Sequence, residues 1–178
     1  MLRNKQQSGL SLIEVMVVVA ILAILATTGL PAYRTWIQNT KIRTAAESIQ
    51  NGISKARAEA LARNTPVRFR LVGANSAWTV QCVTTAQCPD LTGGVVESKS
   101  STDSSSNAIT VTPTPGGATD VVFSNLGVKS AAGTLTQVDV DNSSIPNADS
   151  RDLSVTIGTG GNVRTCDPNA ASTDPRKC

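Results

Sequence analysis

Four cysteines are the residues whose type and spacing could support chemistry in this chain of 178 residues. Five residues separate Cys82 from Cys88, and eleven separate Cys166 from Cys178. Structural zinc sites usually have two to four residues between paired ligands, so this spacing favours disulfides over a four-thiolate zinc site. Of the three pairings that four cysteines allow, we prefer the local one, Cys82 with Cys88 and Cys166 with Cys178.

Histidine is absent from the sequence. Without it neither a Ser-His-Asp nor a Cys-His triad can form, and a histidine-containing zinc site is excluded as well. The sequence also lacks a phosphate-binding loop and a convincing carboxylate pair. We therefore expect no enzymatic activity, no metal and no cofactor.

Glu14 is the second residue that needs a chemical explanation, because it carries the only charge in residues 10–30. An unpaired carboxylate in hydrocarbon costs at least about 2–3 kcal/mol, so a partner is expected. If the chain were cut after Gly9, the new amino group of Leu10 could pair with Glu14, within one subunit or between two. Alternatively, Glu14 merely occupies a first helical turn, where the helix dipole favours an acid. The charge pattern alone leaves both interpretations open.

Residues 10–30 are the element that must position Glu14. As a helix they would span about 31 Å, enough to cross the hydrocarbon core of a bilayer. The preceding residues 1–9 contain Arg3 and Lys5 and no acid, so the positive-inside rule predicts a cytoplasmic leader and export of the remainder. An ordinary signal peptide is the alternative. Against it, the apolar run is long and no clear A-x-A cleavage site follows.

The stretch SGLSLIEVMVVVAILAILATTGLPAYRTW resembles the class III signal of type IV prepilins and pseudopilins. Gly9 stands before the cut, Leu10 takes the place usually held by Phe, Glu14 is fifth after the cut, and a helix-bending Pro31 is twenty-second. The resemblance implies that a prepilin peptidase cuts between Gly9 and Leu10 and that Leu10 is then methylated. It also implies that the helix stays among inner-membrane lipids until Glu14 docks the subunit into a filament of major and minor pilins or pseudopilins.

The helical pattern continues through residues 31–65. A single stripe contains six apolar residues at spacings of four and three: Ile42, Ala46, Ile49, Ile53, Ala56 and Ala60. Its small alanines predict close packing against a sheet. Asn64-Thr65-Pro66 then predicts the end of the helix, since proline disfavours helical geometry in the residue before it.

From Val67 the apolar period changes to two, which predicts strands in residues 66–178. In VRFRL, Val67, Phe69 and Leu71 face inward and Arg68 and Arg70 outward. Further strands are predicted at 78–83, 108–112, 120–124, 135–140, 153–157 and 162–165, with exposed loops at SKSSTDSSSN and PTPGG. The predicted fold is α+β, a long N-terminal helix packed on one antiparallel sheet or two small ones.

The downstream residues resemble the GspH/FimT branch of minor pilins and pseudopilins. The similarity lies in ISKARAEALARNTPV, VVFSNLG and the closing LSVTIGTGGNVRTC. It implies a structural subunit of the inner membrane that crosses once, with its C-terminal domain in the periplasm. This subunit would prime or cap a type IV pilus or a type II secretion pseudopilus.

Capture of DNA during natural transformation is the alternative function. DNA-binding members of this branch carry Gly-Arg-x-Arg in the final hairpin, where this chain has Gly161-Asn162-Val163-Arg164. Residues 34–70 contain eight Lys and Arg against two Glu, whereas residues 71–178 carry six basic and ten acidic residues. DNA binding would therefore need local positive charges to converge. The candidates are Arg68, Arg70, Arg164, Arg176 and Lys177.

Overall fold

The computed structural model describes residue 9 and residues 11–100, 108–131 and 134–178. Within these residues, one long helix, α1 (Leu12–Arg63), is followed by strands β1 (Val67–Leu71), β2 (Trp78–Cys82), β3 (Val95–Lys99), β4 (Ile109–Thr114), β5 (Asp120–Phe123), β6 (Gln137–Asn142), β7 (Leu153–Ile157) and β8 (Val163–Cys166). The chain divides into two compact units, one ending at Trp36 and the other running from Ile37 to Cys178.

The first unit contains the apolar half of α1. Its large aliphatic side chains are exposed, as in Leu12, Val18 and Leu25, which are 78%, 50% and 61% accessible. This helix contains a segment long and apolar enough to cross a membrane, and none of that segment is buried within the protein. Pro31 lies inside the helix.

The second half of α1 supplies the core of the second unit. The six residues of the predicted stripe are all fully buried, which confirms that prediction, and Ala45 is buried with them. The helix ends at Arg63, and Asn64 follows it with a φ of 51°. Asparagine tolerates this left-handed conformation better than most residues, so it suits the end of a helix.

Two antiparallel sheets of four strands each form the rest of the second unit. The strand orders are β3-β2-β1-β5 and β4-β6-β7-β8. In β1, Val67, Phe69 and Leu71 are buried while Arg68 and Arg70 are more accessible, as the period of two predicts. The α+β fold is confirmed, and the sheet is divided into two.

Side chains of α1 bond to both sheets. Trp78 Nε1 in β2 donates to Ser48 Oγ at 3.0 Å. Thr165 Oγ1 in β8 donates to Gln50 Oε1 at 2.8 Å. Because Ser48 and Gln50 belong to the same turn of helix, these two bonds fix this part of α1 against one strand of each sheet.

Two predictions about the strands were wrong. Strand β3 was not predicted, and Ser98 and Lys99, expected in an exposed loop, belong to it; residues 101–107 of that loop lie outside the described part of the chain. Strand β3 lies at a sheet edge and its side chains are mostly accessible, so its sequence shows no alternation. Pro113 and Thr114, also expected in a loop, extend β4, an edge strand in which proline need not cost a ladder hydrogen bond.

Candidate functional site

Glu14 lies in the first turn of α1, where Val15 N donates to Ser11 O at 3.3 Å. Its side chain is exposed, and so are those of Leu12 and Ile13 beside it. Among the residues that the structure describes, Glu14 makes no ion pair. Gly9 is exposed and precedes the helix, while Leu10, the expected site of cleavage and methylation, lies outside the described residues. The carboxylate is therefore accessible to a group from outside the chain.

The four cysteines form two disulfides. Cys82 at the end of β2 is joined to Cys88 with a Cα–Cα distance of 6.5 Å, and Cys166 at the end of β8 is joined to Cys178 at 5.0 Å. These are the two local pairs that the cysteine spacing favours. With every described cysteine in a disulfide, no thiolate is left to bind zinc.

Arg164 holds the C-terminal segment against β8. Its Nη2 donates to the carbonyl oxygens of Pro175 at 3.2 Å and Lys177 at 2.6 Å. Lys177 Nζ in turn donates to Pro168 O at 3.0 Å. Both cationic groups are therefore engaged by backbone carbonyls of their own segment.

Arg176 is engaged by a carboxylate. Its Nη2 lies 2.7 Å from Asp174 Oδ2, and this hydrogen bond is the main reason that the pKa of Asp174 falls to about 2. The backbone of Arg176 is also fixed, since Asp167 N donates to its carbonyl oxygen at 2.7 Å.

The remaining two candidate cations lie on β1 and so on the other sheet. Arg68 Nε is 3.1 Å from Asp120 Oδ2, an ion pair whose geometry does not make a hydrogen bond. Arg70 is exposed and stands opposite Asp120 in the β1–β5 register. The structure thus groups Arg164 with Arg176 and Lys177 at the tail, and places Arg68 and Arg70 on the opposite sheet beside an acid.

The sequence did not reveal the role of Arg57, which joins α1 to two turns. Its Nε donates to Gly127 O at 2.9 Å and its Nη2 to Gly160 O at 3.5 Å. Gly161, with a φ of 81°, leaves no room for a Cβ, which would collide with Gly127 O and approach Arg57 Nε. The adjacent glycines in GTGG were the available signal, but their partner on the helix could be identified only from the structure.

A long apolar N-terminal helix, continuing into a half that packs on antiparallel sheets, defines the architecture of the type IV pilin-like proteins. Crystal structures of the type IV minor pilin FimU from Pseudomonas aeruginosa strain PAO1 share this fold. The crystal form in space group P21 has a TM-score of 0.53 at 12% identity, covering 76% of this chain and 98% of that chain. The P65 form has a TM-score of 0.52 at 11% identity, covering 72% and 98%.

Two sequence families match the chain. The prokaryotic N-terminal methylation motif matches residues 4–30, and the family described as type II transport protein GspH matches residues 45–170. The second match spans most of the chain, and the protein belongs to the GspH family. It is therefore a protein of the minor pilin or pseudopilin type. Both its fold and its family are those of structural subunits.

Proposed function

We propose that this protein is made as a prepilin, cleaved between Gly9 and Leu10 by a prepilin peptidase, and methylated on Leu10. Residues 10–30 then hold it in the bacterial inner membrane as a single span, residues 31–65 form the amphipathic half of the helix, and residues 66–178 lie in the periplasm. From there it joins other minor and major subunits and primes or caps a type IV pilus or a type II secretion pseudopilus.

The observation that carries this proposal is the contrast between the two halves of α1. Downstream, the helix buries a complete apolar stripe against the sheets of its own domain. Upstream, Leu12, Val18 and Leu25 remain exposed, and the matched methylation motif ends at residue 30. An exposed aliphatic surface of this length requires lipid before assembly and neighbouring helices afterwards.

Glu14 gives this helix a specific partner. A carboxylate near the start of an apolar helix is stabilised best by a cation at the same depth. The amino group created on Leu10 of a neighbouring subunit is such a cation, even after methylation, because a methylated amine keeps its charge. Pairing would neutralise both groups in one contact, so the attraction favours addition of a subunit to the filament base.

Mass spectrometry of the protein from its native host tests the processing step. We expect a mature N-terminus at Leu10 carrying one additional methyl group. A mature N-terminus near Thr27 would instead identify an ordinary signal peptide and remove the membrane anchor on which the proposal depends.

Protease protection in spheroplasts tests the orientation of the chain. A C-terminal domain protected from external protease would contradict the proposed periplasmic location.

The contacts of the cationic residues count against DNA capture as the principal function. Arg164 and Lys177 hold the tail, and Arg176 pairs with Asp174. These contacts occupy part of the hydrogen-bonding capacity of each group, and the carboxylate of Asp174 offsets the charge of Arg176. The structural role does not depend on these groups.

A further inference from the structure

Tyr33 and Trp36 are large aromatic residues that the fold leaves exposed. They lie three residues apart on one face of α1, with ring centroids 6.0 Å apart and an interplanar angle of 26°. Their accessibilities are 58% and 64%. The other three aromatic residues of the chain, Phe69, Trp78 and Phe123, are buried in the core. Unlike those three, Tyr33 and Trp36 are not buried in the core.

The position of the pair matches the far boundary of a membrane. Tyr33 comes 21 residues after the start of α1 at Leu12, which corresponds to about 32 Å at 1.5 Å per residue. The hydrocarbon core of a bilayer is about 30 Å thick. Trp36 lies about 4.5 Å further along, which places it among the headgroups.

The chemistry of this segment also fits a lipid–water boundary. Tyrosine and tryptophan combine an apolar ring with one hydrogen-bonding group, so they are most stable where acyl chains meet headgroups. Arg34, between them in sequence, is exposed as well. Its aliphatic stem can lie along the apolar helix while its guanidinium reaches a lipid phosphate.

We infer that Tyr33, Arg34 and Trp36 form an interfacial anchor that binds the phospholipid headgroup region on the periplasmic side of the inner membrane. This inference rests on the proposed function, since it requires residues 10–30 to cross that membrane. The anchor fixes the depth of the helix before assembly. It thereby holds Glu14, at the other end of the span, at a defined level for pairing with the next subunit.

The depth of Trp36 can be measured by fluorescence quenching. The full chain is reconstituted into phosphatidylethanolamine–phosphatidylglycerol vesicles that carry bromine at either a shallow or a deep acyl position. We expect Trp36 to lose more fluorescence with the shallow label. Trp78 is buried in the domain and should not be quenched. The Trp36→Phe variant contains Trp78 as its single tryptophan and so measures the signal of Trp78 alone. Stronger quenching by the deep label, or none by either, would overturn the inference.

Paired variants separate an interfacial role from a merely apolar one. A cysteine at Ala32, an exposed position, is labelled with a membrane-impermeant maleimide. Replacing both aromatics with leucine keeps the surface apolar but removes the polar groups, so the helix should move inward and labelling should slow. The exchange Tyr33→Trp with Trp36→Tyr keeps both chemistries and should label at the wild-type rate.

Equal labelling of the leucine variant and the wild type would contradict the anchor. A leucine variant that keeps its depth but enters filaments poorly would show that the aromatic pair contacts neighbouring subunits instead. Carbonate extraction of the wild-type membranes distinguishes failure of the membrane span from failure of the anchor. Extraction of the chain would contradict both the proposed function and the anchor. Retention of the chain with an unquenched Trp36 would contradict only the anchor.

Discussion

The surroundings of Glu14 distinguish it from other carboxylates of the same helix. Glu47 lies 2.8 Å from Arg43, and Glu59 lies 2.7 Å from Arg63, whose hydrogen bond lowers the pKa of Glu59. These pairs are the ordinary i,i+4 contacts of a helix surface. Among the described residues, the neighbours Leu12, Ile13 and Val15 of Glu14 are exposed and aliphatic, and none of them can pair with its charge.

Replacing Glu14 with alanine should leave membrane insertion intact and reduce incorporation into filaments. Removing a charge from an apolar segment makes insertion easier, so a loss of incorporation would come from assembly. The comparison is between membrane and sheared-filament fractions, with Glu47→Ala as the control because it removes a carboxylate outside the apolar segment. Equal incorporation of the Glu14→Ala variant and wild type would mean that Glu14 only provides an acid in the first turn of the helix.

Asp152 has a raised pKa. Burial is the main cause, and the neighbouring Asp141 adds to it, while a hydrogen bond from Ser150 partly offsets both. Ser150 Oγ lies 2.6 Å from Asp152 Oδ1 and 3.2 Å from Asp141 Oδ1. A hydroxyl carries one hydrogen, so it can satisfy only one of the two acids at a time. A proton on Asp152 removes its repulsion with Asp141, which contributes to the raised pKa of Asp152.

The raised pKa of Asp152 predicts how the stability of the folded protein changes with pH. The Asp152 carboxyl holds its proton more tightly in the folded state than in the unfolded state. Its contribution to folding stability is therefore favourable below the ordinary pKa of 3.8 and is lost as the pH rises through the raised pKa of the folded state. Asp152→Asn should therefore raise the melting temperature at neutral pH, with a smaller gain near pH 3. A gain of the same size at both pH values would contradict this account.

At the scale of elements, Gly52 lets α1 approach the first sheet closely. A Cβ at this position would lie 2.8 Å from the ring of Phe69 and 2.9 Å from that of Trp78. Neither ring can retreat easily, because they pack on each other with centroids 5.8 Å apart and the indole is bonded to Ser48. The helix–sheet distance is thus set by the absence of one side chain.

Gly52→Ala should destabilise the protein in spite of the better helix propensity of alanine. Propensity favours the change by about 1 kcal/mol, whereas overpacking a rigid core costs about 1–3 kcal/mol. We expect a net loss in the free energy of unfolding, measured by denaturant titration of the full chain in detergent. Asn51→Ala, at the exposed neighbouring position, is the matched control and should be neutral or slightly stabilising. An increase in stability on Gly52→Ala would show that the two rings can move.

The tail is a second element whose position depends on a few contacts. The disulfide Cys166–Cys178 closes a segment with a sequence separation of 12, and Arg164, in β8, donates to two carbonyl oxygens of that segment. Replacing both cysteines with serine should cost on the order of 3 kcal/mol in the chain-entropy description. It should also speed tryptic cleavage after Arg176. Reducing the wild type should produce the same acceleration, and unchanged cleavage in both cases would mean that the hydrogen bonds alone hold the tail.

For the whole molecule, the distribution of charge argues against a general affinity for polyanions. The net charge is only +3, and residues 71–178 contain more acids than bases. Binding to DNA depends strongly on the number of phosphates that free cations can neutralise. Here the cations of the tail are held by their own segment, and Arg68 lies beside Asp120.

The full chain in detergent should therefore show no measurable binding to duplex DNA at low salt. The Asn162→Arg variant, which restores the Gly-Arg-x-Arg pattern, tests whether the missing arginine is the reason. Titration at two salt concentrations with wild type, Asn162→Arg and Arg164→Ala provides the measurement. Salt-sensitive binding by wild type that weakens in Arg164→Ala would establish DNA capture as a function.

The sequence by itself determined the features that depend on local pattern. Hydrophobic periodicity predicted the buried stripe from Ile42 to Ala60 and the alternation of β1. The continuous apolar run with Glu14 near its start was equally plain. Each of these patterns is a property of residues close together in the sequence. The family resemblance in residues 8–36 was equally visible, because its motif is contiguous in the sequence.

Only the tertiary structure decided which distant residues meet. Strand β3 has mostly accessible side chains, so its identity depends on pairing with β2 rather than on its own pattern. Arg57, Gly127 and Gly160 are far apart in sequence, and no spacing rule connects them. The five candidate cations looked alike in the sequence, but the structure places two on β1 of one sheet, one on β8 of the other, and two in the tail that follows β8. Charge in a sequence shows what a residue can bind, whereas the fold decides which partner reaches it first.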